Sequence, residues 1–179
     1  MRAFIASSSA AVRLLLFVLW TLFLLPPYLV ALATGRYYRS ISRFYMRVTA
    51  KYLVRMNVVV HGELAPERPL LLVCNHVSYL DIFLLGSLVP GSFVAKAEVR
   101  KWPGIGFLAL VARTVFVDRR PSAAGKHRDQ IAKRLTEGEP LILFPEGTSS
   151  DGNRVLPYKS ALFNVAEGTV GTAPVTVQP

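Results

Sequence analysis

The sequence predicts an α/β fold, a mixed sheet with flanking helices, preceded by an N-terminal hydrophobic helix and a basic amphipathic interfacial helix. Three observations predict it. Residues 1–62 hold eight Lys/Arg and no Asp/Glu, whereas residues 63–179 hold 13 Lys/Arg against 11 Asp/Glu. An apolar stretch without charge runs from Leu14 to Ala33. Beyond residue 57, short apolar runs alternate with stretches of helical periodicity, which is typical of α/β domains. We therefore expect a membrane anchor and interfacial helix at 1–56 and a folded domain at 57–179.

The composition excludes several classes of protein. The chain has 179 residues, of which 52% are hydrophobic and 18% charged, with a net charge of +10. So apolar a composition excludes intrinsic disorder, and the length fits one folded domain. Cys74 is the single cysteine, which excludes an internal disulfide and fits a reducing compartment. No HExxH motif or clustered set of metal ligands occurs, so we expect no metal.

The apolar stretch from Leu14 to Ala33 has 20 residues. As a helix it would be about 30 Å long, enough to cross a bilayer. Pro26 and Pro27 should interrupt this helix, so the sequence fits a kinked or re-entrant helix as well as a straight span. A cleaved signal peptide is an alternative, because residues 31–33 imitate a cleavage site. The basic residues that follow oppose export and place the rest of the chain in the cytoplasm.

Basic residues recur every three or four positions between residues 36 and 55, with aromatic and aliphatic residues between them. This spacing predicts an amphipathic helix with a basic stripe. On anionic lipid, each basic side chain would contribute about 1 kcal/mol. A nucleic-acid-binding arm is the alternative, but the adjacent hydrophobic anchor already accounts for a lipid-facing surface. The basic residues are Arg36, Arg39, Arg43, Arg47, Lys51 and Arg55.

The folded part should contain six strands and three helices. The chain ends at residues 177–179 without a closing helix, so we expect the domain to be C-terminally truncated, that is, incomplete at its carboxyl end. The predicted strands are Val58–His61, Leu70–Cys74, Phe93–Lys96, Val115–Val117, Leu141–Phe144 and Val175–Gln178. The predicted helices are Tyr79–Leu88, Ile105–Ala112 and Ala123–Thr136.

The first candidate site is the segment 75–81, which follows the strand Leu70–Cys74. Ligands of open α/β sheets bind where strands end. In one continuous helix His76 and Asp81 would point about 140° apart, whereas a break before Ser78 lets the carboxylate reach one imidazole nitrogen. The other nitrogen could then act as a general base. Ser78-x-x-Asp81 is also a capping box, so a structural role for Asp81 stays open.

Two more segments could bind an anion. The loop 144–152 follows a strand and is rich in Gly, Ser and Thr, which offers backbone donors to an anion. The segment 113–120 ends in Arg119 and Arg120, a pair suited to grip a phosphate. A solvated turn and a solvated basic strand end are the corresponding structural alternatives.

Taken together, these motifs resemble the blocks of the glycerolipid acyltransferases of the lysophosphatidic-acid acyltransferase (PlsC-like) type. The His-x4-Asp block is matched at His76 and Asp81, with the usual Asn75 before it. The block Phe-Pro-Glu-Gly-Thr-Ser is matched in full at residues 144–149. With the block at Phe116 and Arg119, described next, three blocks stand in the family's order and spacing, which makes a specific signal.

Two other blocks are matched only in part. Gly-x-x-Phe-x-x-Arg is matched at Phe116 and Arg119, but Arg113 stands where glycine is usual. The last block, a strand that ends in a proline-containing turn, is represented only by residues 177–179.

The resemblance implies an O-acyltransferase that moves a fatty acyl chain from acyl-CoA or acyl carrier protein to the free hydroxyl of a lysolipid. The expected acceptor is 1-acyl-sn-glycerol-3-phosphate, which gives phosphatidic acid in phospholipid biosynthesis. Lyso-ornithine lipid is the alternative acceptor, because residues 93–98 and 148–154 are similar to bacterial lyso-ornithine-lipid acyltransferases. The implied partners are membrane lipids and the acyl donor, without a cofactor or nucleic acid, at the cytoplasmic face of a bacterial-type inner membrane. The rivals are a membrane thioesterase or lipase, in which the histidine activates water, and a non-catalytic lipid-binding protein.

The resemblance also implies a role for each site residue. His76 would deprotonate the acceptor hydroxyl while Asp81 holds the imidazole. Lys96 would stabilise the thioester oxyanion, unless it is a surface lysine. No G-x-S-x-G elbow occurs, which favours direct transfer over an acyl-enzyme. A carboxylate repels a phosphate dianion, so Glu146 should bind a hydroxyl of the substrate or orient Arg119. The implied substrate-binding residues are Arg119, Glu146, Gly147 and Thr148.

Overall fold

The chain folds into two N-terminal helices and an α/β domain. The computed structural model describes residues 2–118, 124–159, 163, 169–170 and 173–179. The first helices are α1 (Arg2–Ala33) and α2 (Tyr38–Val48), and a π-helical turn at Thr49–Leu53 continues α2. The domain then contains β1 (Leu70–Val73), α3 (Leu80–Leu88), β2 (Ser92–Lys96), a 3-10 helix (Ala97–Lys101), α4 (Ile105–Val111), β3 (Val115–Val117), α5 (Ala124–Thr136), β4 (Leu141–Leu143), β5 (Thr169–Val170), β6 (Ala173–Pro174) and β7 (Thr176–Gln178).

The domain is built on a five-stranded sheet in the order β3-β2-β4-β1-β7. All four strand pairs of this sheet are parallel, so it is a parallel sheet where a mixed one was expected. An antiparallel pair, β5 with β6, forms a separate ribbon. The predicted α/β class is confirmed. Since β1 and β4 are neighbours in the same direction, the segments that follow them leave the sheet side by side.

Both faces of the sheet are covered, as a parallel sheet requires. On one face, Leu71 and Leu143 pack in a cluster with Ile131 and Leu135 of α5. On the other face, a second cluster contains Leu72, Ile142 and Phe144, with Ile82 and Leu85 of α3 packed against it. Each fully buried Leu or Ile stabilises the fold by about 1.5–3 kcal/mol. The central strands therefore form a rigid support for the loops at their carboxyl ends.

The N-terminal helices form an antiparallel pair that packs against the domain. The Oγ1 of Thr21 and the hydroxyl of Tyr45 are 2.8 Å apart, and the rings of Trp20 and Tyr45 stack with centroids 6.4 Å apart. The Phe17 ring meets the Phe83 ring of α3 edge-on at 5.9 Å. Trp20 and Thr21, which lie three and four residues after Phe17, thus form with it the side of α1 that contacts α2 and α3. The opposite face exposes large apolar side chains, among them Leu15, Val18, Leu19, Leu22 and Phe23.

Most predicted elements are confirmed within one or two residues, and the predicted amphipathic helix at 36–55 corresponds to α2 and its π-helical turn. Pro26 and Pro27 do not interrupt α1, which continues to Ala33. The prolines remove two backbone donors, but the fixed proline φ fits a helix, and helices in lipid tolerate such losses.

The predicted strand Val58–His61 is wrong, because these residues pair with no strand among those described. Val59 and Val60 are 70% and 57% exposed. Adjacent residues of a strand point to opposite faces, so neither face of this segment is buried. Its apolar residues have no surface to pack against, and an extended loop results.

Candidate active site

The structure brings His76 and Asp81 into contact. The loop after β1 keeps His76 out of the helix, and α3 begins at Leu80, which places Asp81 in its first turn. His76 Nδ1 and Asp81 Oδ2 are 2.8 Å apart, a short charge-assisted hydrogen-bond distance. The break that the spacing requires is therefore present, and it joins the two side chains.

Asp81 also organises the loop that carries His76. Its Oδ2 accepts hydrogen bonds from the backbone N–H groups of Val77, at 2.8 Å, and Ser78, at 3.0 Å. Ser78 Oγ in turn accepts a bond from the Leu80 N–H at 3.2 Å. The capping role and the contact with the imidazole thus coexist at one carboxylate oxygen. The oxygen that holds the imidazole is itself fixed by two main-chain donors.

The imidazole of His76 lies against the ring of Phe144. The two rings are stacked, with centroids 4.2 Å apart and planes at 20°. Phe144 follows β4, and the Cys74 N–H donates to the Leu143 carbonyl at 3.0 Å, so the ends of β1 and β4 stay together. With one face on Phe144 and Nδ1 on Asp81, the imidazole has a fixed orientation. Its Nε2 is left to meet a substrate.

The loop after β4 forms two hydrogen bonds with the main chain of His76. Glu146 Oε1 accepts a long hydrogen bond from the His76 N–H at 3.4 Å, and the Ser150 N–H donates to the His76 carbonyl at 2.8 Å. Glu146 is only 2% exposed, and its Oε2 is buried without a hydrogen-bond partner among the described residues. A buried carboxylate oxygen without a donor is costly, so this atom is suited to accept a hydrogen bond from a substrate. Gly147 permits the turn, since its φ of 72° is unfavourable for other residues.

The site therefore consists of a histidine–carboxylate pair and a second, buried carboxylate at the carboxyl ends of two adjacent parallel strands. A model of the Acyltransferase family matches residues 57–179, which contain all of these residues. The chain belongs to the Acyltransferase family.

Several proteins of known name are similar to this member of the Acyltransferase family. It is 45% identical over 145 residues to a lyso-ornithine lipid O-acyltransferase of Brucella abortus, across 79% of this chain and 54% of that one. It is 39% identical over 108 residues to a 1-acyl-sn-glycerol-3-phosphate acyltransferase of Neisseria gonorrhoeae, across 59% of this chain and 42% of that one. The chain spans about half the length of the curated relatives it matches.

The fold is also similar to a solved structure. The crystal structure of the 1-acyl-sn-glycerophosphate (LPA) acyltransferase PlsC from Thermotoga maritima matches with a TM-score of 0.57 and 25% identity. The match covers 88% of this chain and 72% of that one. The similarity thus includes part of the N-terminal helices as well as the α/β domain.

Two other predicted substrate-binding residues, Thr148 and Lys96, have no contact with His76 among the contacts described. Thr148 is exposed in the loop that carries Glu146. Lys96 ends β2 on the face of Val94, which packs in the α5 cluster, whereas Phe144 and His76 lie on the α3 side of the sheet. The role of Lys96 stays a prediction. Arg119 lies outside the described residues, and its role stays a prediction.

Arg113, which replaces the usual family glycine, has a φ of 63°. A glycine adopts this left-handed conformation without steric cost. Its guanidinium contacts Glu137 at 3.5 Å and the buried Glu139 at 3.2 Å. Arg113 precedes β3, so it lies at the end of the parallel sheet opposite His76. This departure from the family pattern therefore lies away from the histidine–carboxylate pair.

Cys74 lies two residues from His76 and is partly buried. Burial, and then the negative charge of Asp81, raise the pKa of its thiol. Less thiolate is present at neutral pH as a result. Within the described part of the chain, no group of three or more His, Cys, Asp or Glu side chains is arranged to hold a metal.

Proposed function

We propose that this chain is a lysolipid O-acyltransferase in which His76 is the general base. The contact between His76 Nδ1 and Asp81 Oδ2 carries the proposal, because it orients the imidazole and leaves Nε2 free for a substrate hydroxyl. Family membership supports acyl transfer as the reaction. The lipids named in the relatives' descriptions support a lysolipid as the acceptor.

The proposed reaction is a direct transfer. His76 Nε2 removes the proton of the acceptor hydroxyl as its oxygen attacks the thioester carbonyl of acyl-CoA or acyl carrier protein. The tetrahedral intermediate collapses, the carbon–sulfur bond breaks, and the thiol leaves with the proton from the imidazolium. Asp81 stabilises the imidazolium that exists between these steps. The raised pKa of Cys74 supports a route without an acyl-cysteine.

We infer two candidate acceptors. Lyso-ornithine lipid is the favoured acceptor, because two lyso-ornithine lipid O-acyltransferases are 45% and 46% identical to this chain across 79% of its length. 1-Acyl-sn-glycerol-3-phosphate is the second, supported by the 39% identity to the Neisseria gonorrhoeae enzyme and by the fold of PlsC. With lyso-ornithine lipid, Glu146 Oε2 is suited to accept a hydrogen bond from a donor group other than the reacting hydroxyl, such as the ammonium group.

We also infer that α1 lies in one leaflet at the cytoplasmic face of a bacterial inner membrane. The segment Ser9–Ala33 is long and apolar enough to cross a membrane. However, Phe17 contacts Phe83 of α3, and residue 17 is about 24 Å along the helix from Ala33. An upright α1 would therefore carry α3, with Asp81 in its first turn, deep into the hydrocarbon. A helix that lies along the surface buries its apolar face in lipid and keeps α3 outside.

The deciding experiment offers labelled acyl-CoA and acyl carrier protein to each of the two lysolipids, in four separate reactions. Acylated lysolipid is expected in at least one of them, and His76→Ala should lower its rate by about 10²-fold or more. Free fatty acid without acylated lysolipid would identify a thioesterase instead. Equal rates for His76→Ala and the unchanged chain would remove His76 from the chemistry.

A further inference from the structure

The short helix α4 is apolar at every position and yet stands out into solvent. Ile105, Phe107 and Leu110 are 55%, 52% and 48% exposed. At 100° per residue, Phe107 and Leu110 lie about 60° apart on one side of the helix, and Ile105 points to the opposite side. α4 contacts the 3-10 helix at Gly106, where a side chain would collide with the Arg100 carbonyl. A helix that is hydrophobic all round is normally buried in protein or in a membrane, so an apolar environment should cover α4.

The residues just before α4, which form the rim of this apolar surface, have the composition of a membrane interface. Arg100 and Lys101, at the end of the preceding 3-10 helix, are both exposed. Trp102 follows them, 38% exposed, and its ring meets the ring of Tyr79 edge-on with centroids 5.9 Å apart. Basic residues attract anionic headgroups, and Trp and Tyr prefer the boundary between headgroups and hydrocarbon. The charge and the aromatic side chains thus fit a lipid surface.

This region also connects the membrane helix to the catalytic loop. The Tyr28 hydroxyl of α1 donates to the Val111 carbonyl at the end of α4, at 3.0 Å. Tyr79, which contacts Trp102, lies between Ser78 and Asp81 in the chain. A bilayer that covers the exposed apolar face of α1 would therefore extend to α4.

We propose that α4 and its rim form a second membrane-binding surface, which inserts into the bilayer beside α1. The α4 surface consists of Arg100, Lys101, Trp102, Ile105, Phe107 and Leu110. Its contact with α1 favours lipid over an acidic protein or a second copy of this chain. The surface would hold the domain at the depth of the headgroups. This binding needs neither acyl donor nor lysolipid, so it can be tested apart from the proposed reaction.

The test uses the fluorescence of Trp102. The chain has two tryptophans, so Trp20→Phe leaves Trp102 as the only one. The probe is a vesicle of phosphatidylcholine and phosphatidylglycerol with acyl chains brominated at mid-length, without lysolipid or acyl donor. We expect Trp102 emission to be quenched by the bromines, as Trp20 emission should be in the Trp102→Phe chain. Quenching of Trp20 without quenching of Trp102 would overturn the proposal. The proposal would also be overturned if vesicles left the Trp102 emission unchanged while an acidic carrier protein, or a higher concentration of this chain, shifted it to the blue.

A second measurement does not depend on the change at Trp20. Leu110→Ser should lower the partition of the chain into the same vesicles by about fivefold, because it removes an exposed apolar side chain from the bilayer. The matched control is Val177→Ser, which changes a 42% exposed residue on β7, at the edge of the sheet opposite β3. The control should partition within twofold of the unchanged chain. Equal partition of the two variants would refute insertion of α4.

Discussion

Replacing Asp81 by asparagine separates the charge of this residue from its hydrogen bonds. One oxygen, Oδ2, accepts from His76, Val77 and Ser78. The amide oxygen of asparagine can occupy the same position and accept all three bonds. We therefore expect Asp81→Asn to keep the loop and the imidazole orientation, with a free energy of unfolding within about 1 kcal/mol of the unchanged chain. What the variant loses is the negative charge beside the imidazolium.

The size of the loss follows from the geometry. The side chains of His76 and Asp81 are 13% and 23% exposed, so the pair lies in an intermediate dielectric. For charge centres about 4 Å apart at an effective dielectric of about 20, the attraction is about 4 kcal/mol. In the proposed reaction the imidazolium forms as the proton leaves the acceptor hydroxyl, so this attraction stabilises the transition state. The rate should fall by about 10³-fold.

The assay measures kcat for acyl transfer together with urea unfolding, for Asp81→Asn and for Asp81→Ala. The alanine variant loses all three hydrogen bonds, so it should also lose about 1–2 kcal/mol of stability, as when a helix cap is removed. An asparagine variant that keeps more than a tenth of the activity would show that the charge is not used. An asparagine variant as unstable as the alanine variant would show that the charge mainly holds the loop.

Three further changes test other parts of the site and the fold. Glu146→Gln should raise the KM for the acceptor by about tenfold without lowering the unfolding midpoint, since it removes a buried charge and weakens one hydrogen bond to substrate; a fall in kcat alone would contradict this role. Burial and the charge of Asp81 raise the pKa of Cys74, so its alkylation should be slower than that of free cysteine at pH 8 and should still accelerate above pH 9, as measured with iodoacetamide. Gly91→Ala places a methyl group against the Pro140 carbonyl oxygen and should cost about 2 kcal/mol in urea unfolding, and an unchanged midpoint would disprove the clash.

The strands of the sheet were predictable wherever an apolar run was buried on both faces. Leu70–Val73 is buried at every position, and a continuous apolar run is what a central parallel strand requires. The run Val58–His61 looks the same in the sequence, but strand propensity depends on a surface to pack against, which the sequence does not show. The two-residue strands β5 and β6 are too short to show a periodicity.

The site was predictable where its residues are close in sequence. His76 and Asp81 are five positions apart, so a break in the helix is a local requirement that spacing reveals. The stacking of His76 on Phe144 and its bond to Glu146 join segments about 70 residues apart. They depend on the register of β1 against β4, in which Val73 lies opposite Leu143, and no local pattern specifies that register.

Arg113 shows how a fold can accommodate a departure from a family pattern. The left-handed conformation costs a residue other than glycine about 1–2 kcal/mol. Arg134 donates to the Arg113 carbonyl at 3.2 Å and pairs with the buried Glu139 at 3.0 Å, so Arg113 and Arg134 share one carboxylate. These side-chain contacts hold Arg113 in its left-handed conformation. A glycine would adopt the same conformation without steric cost. Because the cluster is at the opposite end of the sheet from His76, the substitution changes how the fold is supported at a distance from the histidine–carboxylate pair.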